Sequence, residues 1–158
     1  MAEADAAMRE RVRQLIPQKP PFHFIDEITS LSPDTIRSRY SLPDATAWFY
    51  QGHFPGRPIT PGVILIEIMA QTTVVALGVY NFILMGENLD QLSVFAECEM
   101  EFSEMVLPAT RLLVSGEKQY LRRGKLKSKC TLEREDGTLL ASGILSGVAV
   151  PIQAQHDG

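Results

Sequence analysis

Cysteine is scarce in this chain. There are two, Cys98 and Cys130, too few for a disulfide framework. Both fall on the apolar phase of alternating segments, so they read as reduced core thiols. The three histidines, His23, His53 and His156, are far apart, and no HExxH or CxxC spacing occurs, which argues against a metal site. Basic residues are in deficit: 15 Lys and Arg against 19 Asp and Glu give a net charge of −4, so the electrostatic footprint of a general nucleic-acid binder is missing. The start, MAEADAAMRERVRQL, has charge but no apolar stretch, and is not expected to be a signal peptide; a cytoplasmic location follows.

What is present is a chain of 158 residues, 45% hydrophobic and 22% charged, expected to form one domain over residues 1–158. Residues 3–16 read as a short amphipathic helix ended by Pro17, Pro20 and Pro21. His23–Thr29 and Thr35–Leu42 read as strands, the second with Ile36, Ser38, Tyr40 and Leu42 on one face. Gln51–Gly62 carries Pro55, Pro58 and Pro61 and reads as an ordered loop. Thr60 suits an N-cap and Pro61 a first helical position, so a long helix is expected over about residues 61–85, stopped at Gly86.

The run Val63–Met85 is long enough to cross a bilayer. It also contains Glu67, Gln71, Thr72, Thr73 and Asn81, and Glu87 and Asp90, rather than basic residues, follow it. A central core helix without a polar face is therefore expected in place of a membrane span. Four strand-like segments come next. In the first, Val94, Ala96, Cys98, Met100 and Phe102 alternate with Glu97, Glu99 and Glu101, the period of a half-buried strand. Thr110–Gln119, Lys125–Cys130 and Leu139–Val150 are the others, with Asp136-Gly137 as a hairpin turn. A loose tail is expected from about residue 151. The class is α+β: an antiparallel sheet wrapped around one long helix.

Chemistry concentrates in YQGHFPGRPITPGVILIEIMAQ, Tyr50–Gln71. It places His53 in a rigid loop and Glu67 two turns into an apolar helix, flanked by Leu65, Ile66, Ile68 and Met69. Burial disfavours the charged carboxylate, and a carboxyl kept protonated near neutral pH serves as a general acid. Gln71, four residues on, shares its face and is placed to hold it. The first helical amides, near Gly62 and Val63, lack intrahelical partners and stand at the positive end of the helix dipole, where an oxyanion is stabilised. Gly62 has no side chain to keep a substrate carbonyl away. Singly, a loop histidine and a buried glutamate are more often structural than catalytic. Together they supply an acid, a base and an oxyanion site, but name no substrate.

The same residues carry a resemblance. QGHFPGRPITPGV (Gln51–Val63), LIEIMAQ (Leu65–Gln71) and IPQKPPFHFIDEI (Ile16–Ile28) resemble the FabZ-type 3-hydroxyacyl-(acyl carrier protein) dehydratases of the hot-dog fold, with MEFSEMVLPAT (Met100–Thr110) a weaker match. The likeness spans about residues 14–150. Glu67 sets it apart from the related FabA type, which has aspartate there. The resemblance implies dehydration of a (3R)-3-hydroxyacyl thioester on acyl carrier protein to the trans-2-enoyl thioester, in fatty-acid or specialised polyene- or polyketide-type synthesis. By resemblance, His53 is the base at C2, Glu67 the acid at the C3 hydroxyl, and Gly62 the carbonyl-binding amide, with Val63, Gln71 and Phe54 completing the substrate site. It further implies a homodimer, or a trimer of dimers, in which His53 faces Glu67 of the partner subunit. No metal or redox cofactor is implied.

The chain departs from that pattern at Gln18, usually histidine, and at His23, usually aliphatic and read here as structural. Glu101, Ser103, Glu104 and Ala109-Thr110 replace the usual basic and glycine-aspartate residues. Docking charge for an acidic carrier is then expected from Arg57, Arg122, Arg123 and Lys125, unless Arg122–Lys129 is only a solvated strand face. Competing readings are a hot-dog thioesterase, a CoA-dependent enoyl hydratase and a non-catalytic hot-dog subunit.

Overall fold

The computed structural model describes residues 2–152. In chain order the elements are α1 (Ala6–Leu15), β1 (Glu27–Leu31), β2 (Thr35–Ser41), α2 (Trp48–Gln51), the long helix α3 (Gly62–Met85), β3 (Gln91–Phe102), β4 (Arg111–Arg122), β5 (Lys125–Arg134) and β6 (Leu139–Pro151). The strands form one antiparallel sheet in the order β1-β2-β4-β5-β6-β3, curled around α3. This is the α+β architecture expected from the alternation of the segments.

Helix α1 is shorter than residues 3–16. It starts after Asp5, whose carboxylate accepts the Met8 N–H at 2.8 Å, and it stops at Ile16, the residue before Pro17. The first strand begins at Glu27, not His23. The segment before it spends backbone hydrogen bonds elsewhere: Phe24 N–H donates to Gln71 Oε1 at 2.7 Å, and Phe22 C=O accepts from Gln71 Nε2 at 3.1 Å. A backbone tied to a helix side chain is not free to pair in a ladder.

Helix α3 runs 24 residues, and among the described residues it is the one helix long and apolar enough to cross a membrane. It is a core helix instead. Its middle, Gln71–Ala76, is a π-helical stretch buried throughout. Most of the polar groups that made a membrane span doubtful are bonded inside the protein, the Thr73 hydroxyl excepted. Ser38 and Thr72 hydroxyls pair at 2.6 Å, Ser128 Oγ donates to Thr73 C=O at 2.6 Å, and Asn81 Nδ2 donates to Pro33 C=O at 3.0 Å. Contact with the sheet is close enough that a Cβ on Gly116 would stand 2.6 Å from Thr73 Cγ2. At the far end Gly86 takes φ 68°, and its N–H and that of Glu87 reach back to Ile83 and Phe82 carbonyls, a Schellman closure.

At the near end the expected cap is absent. Pro61 occupies the N-cap position, and the Thr60 hydroxyl pairs with the Tyr50 phenol at 2.7 Å. The short helix α2, which brings Tyr50 to that bond, carries no sequence signal beyond its aromatic residues.

β3 departs most from expectation. A bulge between Phe95 and Glu97 shifts its phase, so Val94 and Ala96 do not continue the face of Cys98, Met100 and Phe102. As an edge strand it pairs, among the described residues, only with β6, and most of it is exposed, Cys98 included. Cys130 alone is the buried thiol expected. The tail expected to be loose from about 151 contains Pro151, which closes β6 opposite Gln91; beyond Ile152 it lies outside the described residues, as does His156.

Candidate active site

The loop between α2 and α3 is folded on itself. Phe54 and Arg57 exchange N–H···O=C bonds at 2.9 Å across Gly56 (φ 73°), and Ile59 N–H donates to His53 C=O at 2.9 Å. The His53 ring is fixed twice: it stacks on Phe54 with centroids 4.2 Å apart, and its Nδ1 lies 2.9 Å from Ile59 C=O. A carbonyl only accepts, so Nδ1 carries the hydrogen and Nε2 keeps its lone pair. That is the tautomer of a general base. Phe54 is the plate that orients the imidazole.

Where the loop enters α3, Thr60 N–H is held by Val106 C=O at 2.8 Å, and Pro61 C=O accepts from Ile64 and Leu65. Gly62 and Val63 come next with first-turn amides, which the helix cannot satisfy itself. Val63 is well exposed. The direction that a side chain would take at Gly62 is filled by the Phe102 ring, 3.2 Å from an added Cβ. Glycine therefore admits this aromatic ring at the mouth of the helix, a contact between β3 and α3 that no sequence spacing announces.

Glu67 sits half-buried on α3, and burial raises its carboxyl pKa while the bond from Gln71 works against that rise. Gln71 is completely buried and every atom of its amide is committed. Oε1 takes the Phe24 N–H, and Nε2 gives one hydrogen to Phe22 C=O and the other to Glu67 Oε1 at 3.0 Å. This fixes Glu67 Oε1 as an acceptor and leaves Oε2 as the oxygen that can carry a proton. The carboxyl opens into a cavity of about 50 Å³ walled by Ala70, Val75, Phe95 and Gly147, with Gln18 also on its lining. A second cavity of about 50 Å³ shares Val74, Val75, Ser93 and Gly147 with it and runs on to Phe82, Leu89 and Leu121. Charge is absent from that second lining.

The structure thus brings His53, Phe54 and Arg57 together in one loop at the head of α3, next to Gly62 and Val63, and brings Glu67 and Gln71 together further along the helix. His53 is not among the residues lining the Glu67 cavity. The basic hairpin is elsewhere. Arg122 and Arg123 are exposed in the β4–β5 turn, with Arg123 at φ 50° and Gly124 at φ 76°. Lys125 is engaged in an ion pair with Glu97, which Lys127 also approaches at 3.7 Å. Lys125 lies level with Val148 and so with Val94, whereas Gly62 abuts Phe102, eight residues along β3. At roughly 3.3 Å per strand residue the separation is about 26 Å within one protomer. His23 is bound to the α1 end, its Nε2 3.3 Å from Arg13 C=O, the structural role expected of it.

An antiparallel sheet wound around a long central helix, with a loop histidine at the helix head and a glutamate within it, defines a hot-dog protein. Solved structures of that fold agree. The dehydratase heterocomplex ApeI:P from Xenorhabdus doucetiae superposes with a TM-score of 0.71 over 88% of this chain and 90% of that one, at 14% identity. A thioesterase from Haemophilus influenzae gives 0.64 over 93% of each chain, at 15% identity. The FabA-like domain family matches residues 16–137. FabZ 3-hydroxyacyl-[acyl-carrier-protein] dehydratase of Acetivibrio thermocellus is 35% identical over 84% of this chain and 87% of its own length. That of Chloroflexus aggregans is 31% identical over 90% and 96%. The chain belongs to the FabA-like dehydratase family and is of its FabZ type.

Proposed function

We propose that this chain removes water from a (3R)-3-hydroxyacyl thioester carried on acyl carrier protein and releases the trans-2-enoyl thioester. The observation that carries the reading is Glu67: a carboxyl pushed towards its protonated form, held by Gln71, and opening into a cavity. His53 Nε2 takes a proton from C2, which the thioester carbonyl acidifies. The amides of Gly62 and Val63 accept the negative charge that develops on that carbonyl oxygen. Glu67 Oε2 gives its proton to the C3 hydroxyl, the C3–O bond breaks, and water leaves. The adjoining cavity, lined mostly by apolar side chains, gives the acyl chain a place.

Two protomers form the site. β3 is an edge strand whose outer row of N–H and C=O groups has no strand partner among the described residues, and Val94, Phe95, Phe102 and Val63 are exposed beside it. An unpaired edge of this length invites a second strand. Pairing along β3 covers these side chains and sets His53 of one protomer against Glu67 of the partner subunit, in a homodimer or a trimer of such dimers. The carrier docks through Arg57 beside the His53 loop, with Arg122, Arg123 and Lys125 as further docking charge. The cytoplasm is the compartment in which this chemistry is placed.

The test is a panel of 3-hydroxyacyl thioesters on pantetheine, CoA and carrier protein, with enoyl absorbance and thiol release followed separately. Enoyl formation favouring the carrier-bound substrate is expected. Thiol release without enoyl product would make the chain a thioesterase, and a preference for CoA would make it a CoA-dependent hydratase.

A further inference from the structure

The Glu67 cavity holds a polar atom that the mechanism above leaves unused. Gln18 reaches the cavity from the segment between α1 and β1, and its Oε1 is buried with no hydrogen-bond partner among the described residues. The same is true of one other side-chain atom, Thr73 Oγ1, but that hydroxyl is enclosed between α3 and β5, where it faces the Cys130 thiol. Gln18 Oε1 differs in bordering space. Leaving a buried carbonyl oxygen unsatisfied costs about 1–3 kcal/mol, so an atom in this position is matched to a donor that arrives with a ligand.

The identity of that donor follows from what surrounds it. Most of the wall is apolar: Ala70, Val74, Val75, Phe95 and Gly147. The polar groups are the Ser93 hydroxyl, which makes no bond to Gln18, and Glu67, whose Oε1 is taken by Gln71. In the elimination, the substrate hydroxyl accepts a proton from Glu67 on its oxygen and must still place its own hydrogen. An amide oxygen accepts and never donates, and it does not titrate near neutral pH, so it takes that hydrogen without competing with Glu67 as an acid.

We propose that Gln18 is a specificity-determining residue whose Oε1 accepts the hydrogen of the substrate's 3-hydroxyl and then of the departing water. The inference rests on the dehydratase reading of the site. The balance is complete without a proton on Gln18. The C2–H electrons become the second bond between C2 and C3, and the C2 proton goes to His53 Nε2. The C3–O electrons stay on oxygen, which gains the Glu67 proton and leaves as water. Gln18 holds one hydrogen of that water and Glu67 the other.

The experiment uses Gln18→Met, which keeps length and loses the acceptor, in the full chain. On a His53→Ala background, where turnover is suppressed, two matched pantetheine ligands are titrated: a 3-hydroxyacyl thioester and the same thioester without the hydroxyl. Loss of one neutral hydrogen bond is expected to weaken the hydroxylated ligand by about tenfold and to leave the other within about twofold. With His53 present, Gln18→Met should hydrate the enoyl thioester with unchanged KM and lowered kcat, because the enoyl group makes no bond to Gln18. Equal weakening of both ligands would make Gln18 a structural residue and overturn the proposal. No change for either would mean that water or the partner subunit satisfies the oxygen, which overturns it too. The dehydratase reading fails separately, if the unaltered protein dehydrates no 3-hydroxyacyl thioester.

Discussion

Gln71 and Glu67 are joined by a 3.0 Å bond from Nε2 to Oε1, and the same Gln71 amide holds the backbone at Phe22 and Phe24. One side chain therefore ties the Glu67 carboxyl to the segment that lies over α3. Gln71→Leu is expected to leave the Phe24 N–H and the Phe22 carbonyl unsatisfied, and so to cost about 2–6 kcal/mol of stability, given about 1–3 for each group. Chemical denaturation measures that loss. Turnover should fall beyond what the unfolded fraction explains, since Glu67 also loses its anchor.

The acid and base roles proposed for Glu67 and His53 make a paired prediction. His53→Ala and Glu67→Gln are each expected to lower kcat by at least ~100-fold, the low end of a general acid–base contribution. Both variants should remain folded and dimeric. Mixing them with subunit exchange should restore activity, because a mixed dimer contains one site with both groups intact. Mixed samples that stay inactive would place His53 and Glu67 in the same protomer's site.

Burial raises the Glu67 pKa, and the sign of the pH effect follows. The folded protein favours the protonated carboxyl more than the unfolded chain does, so this stabilisation is full at low pH, below the unfolded value. It is lost as pH rises through the raised folded value. Glu67→Gln should therefore melt close to the parent at acid pH and gain on it as pH increases. Thermal melts across that range test this, and a gain on acidification instead would contradict it. Dehydration by the parent should decline over the same rise in pH, as the acid loses its proton.

At Gly62 an added Cβ meets the Phe102 ring at 3.2 Å. Gly62→Ala is expected to push the ring or the first turn of α3 by a few tenths of an ångström and to lower turnover by about tenfold, since misplacing a reacting group by 1 Å can cost about 100-fold. Phe102→Leu in the same chain removes the obstruction and should recover part of the loss. Failure to recover would assign the effect to the Gly62 backbone rather than to its neighbour.

Arg57 adjoins the His53 loop, while the Arg122-Arg123 turn lies about 26 Å away along the sheet of the same protomer, at roughly 3.3 Å per residue. Both remain candidates for carrier docking because pairing at β3 joins one protomer's sheet to the next. Reversing Arg122 and Arg123 to glutamate should lower kcat/KM for the carrier-bound substrate and weaken its salt dependence. A pantetheine thioester should be handled as by the parent. If only Arg57→Glu has that signature, the basic turn is a solvated strand end.

Much of this protein was legible in the sequence, and the reason is local physics. Period-two alternation marked β2 and β5, Gly86 closed α3, Asp136-Gly137 marked the last hairpin, and an apolar run interrupted by single polar residues marked a core helix. Glu67 and Gln71 lie four residues apart on a helix, so their contact is inherent in the spacing. The Tyr50–Thr60 bond, the Phe102 ring over Gly62, and the loss of a first-strand start at His23 to Gln71 were decided by tertiary structure. Each joins segments 10 to about 49 residues apart, through side chains whose preferences alone do not select a partner. The β3 bulge belongs with them: inserting one residue reverses every face after it, and only the register against β6 reveals where that happens. Residue identities determined which groups could act as acid, base and oxyanion amide. Packing decided which atom of each group is free to act, because a hydrogen bond already made, such as His53 Nδ1–H to Ile59 C=O or Gln71 Nε2–H to Glu67 Oε1, occupies one atom and leaves the other.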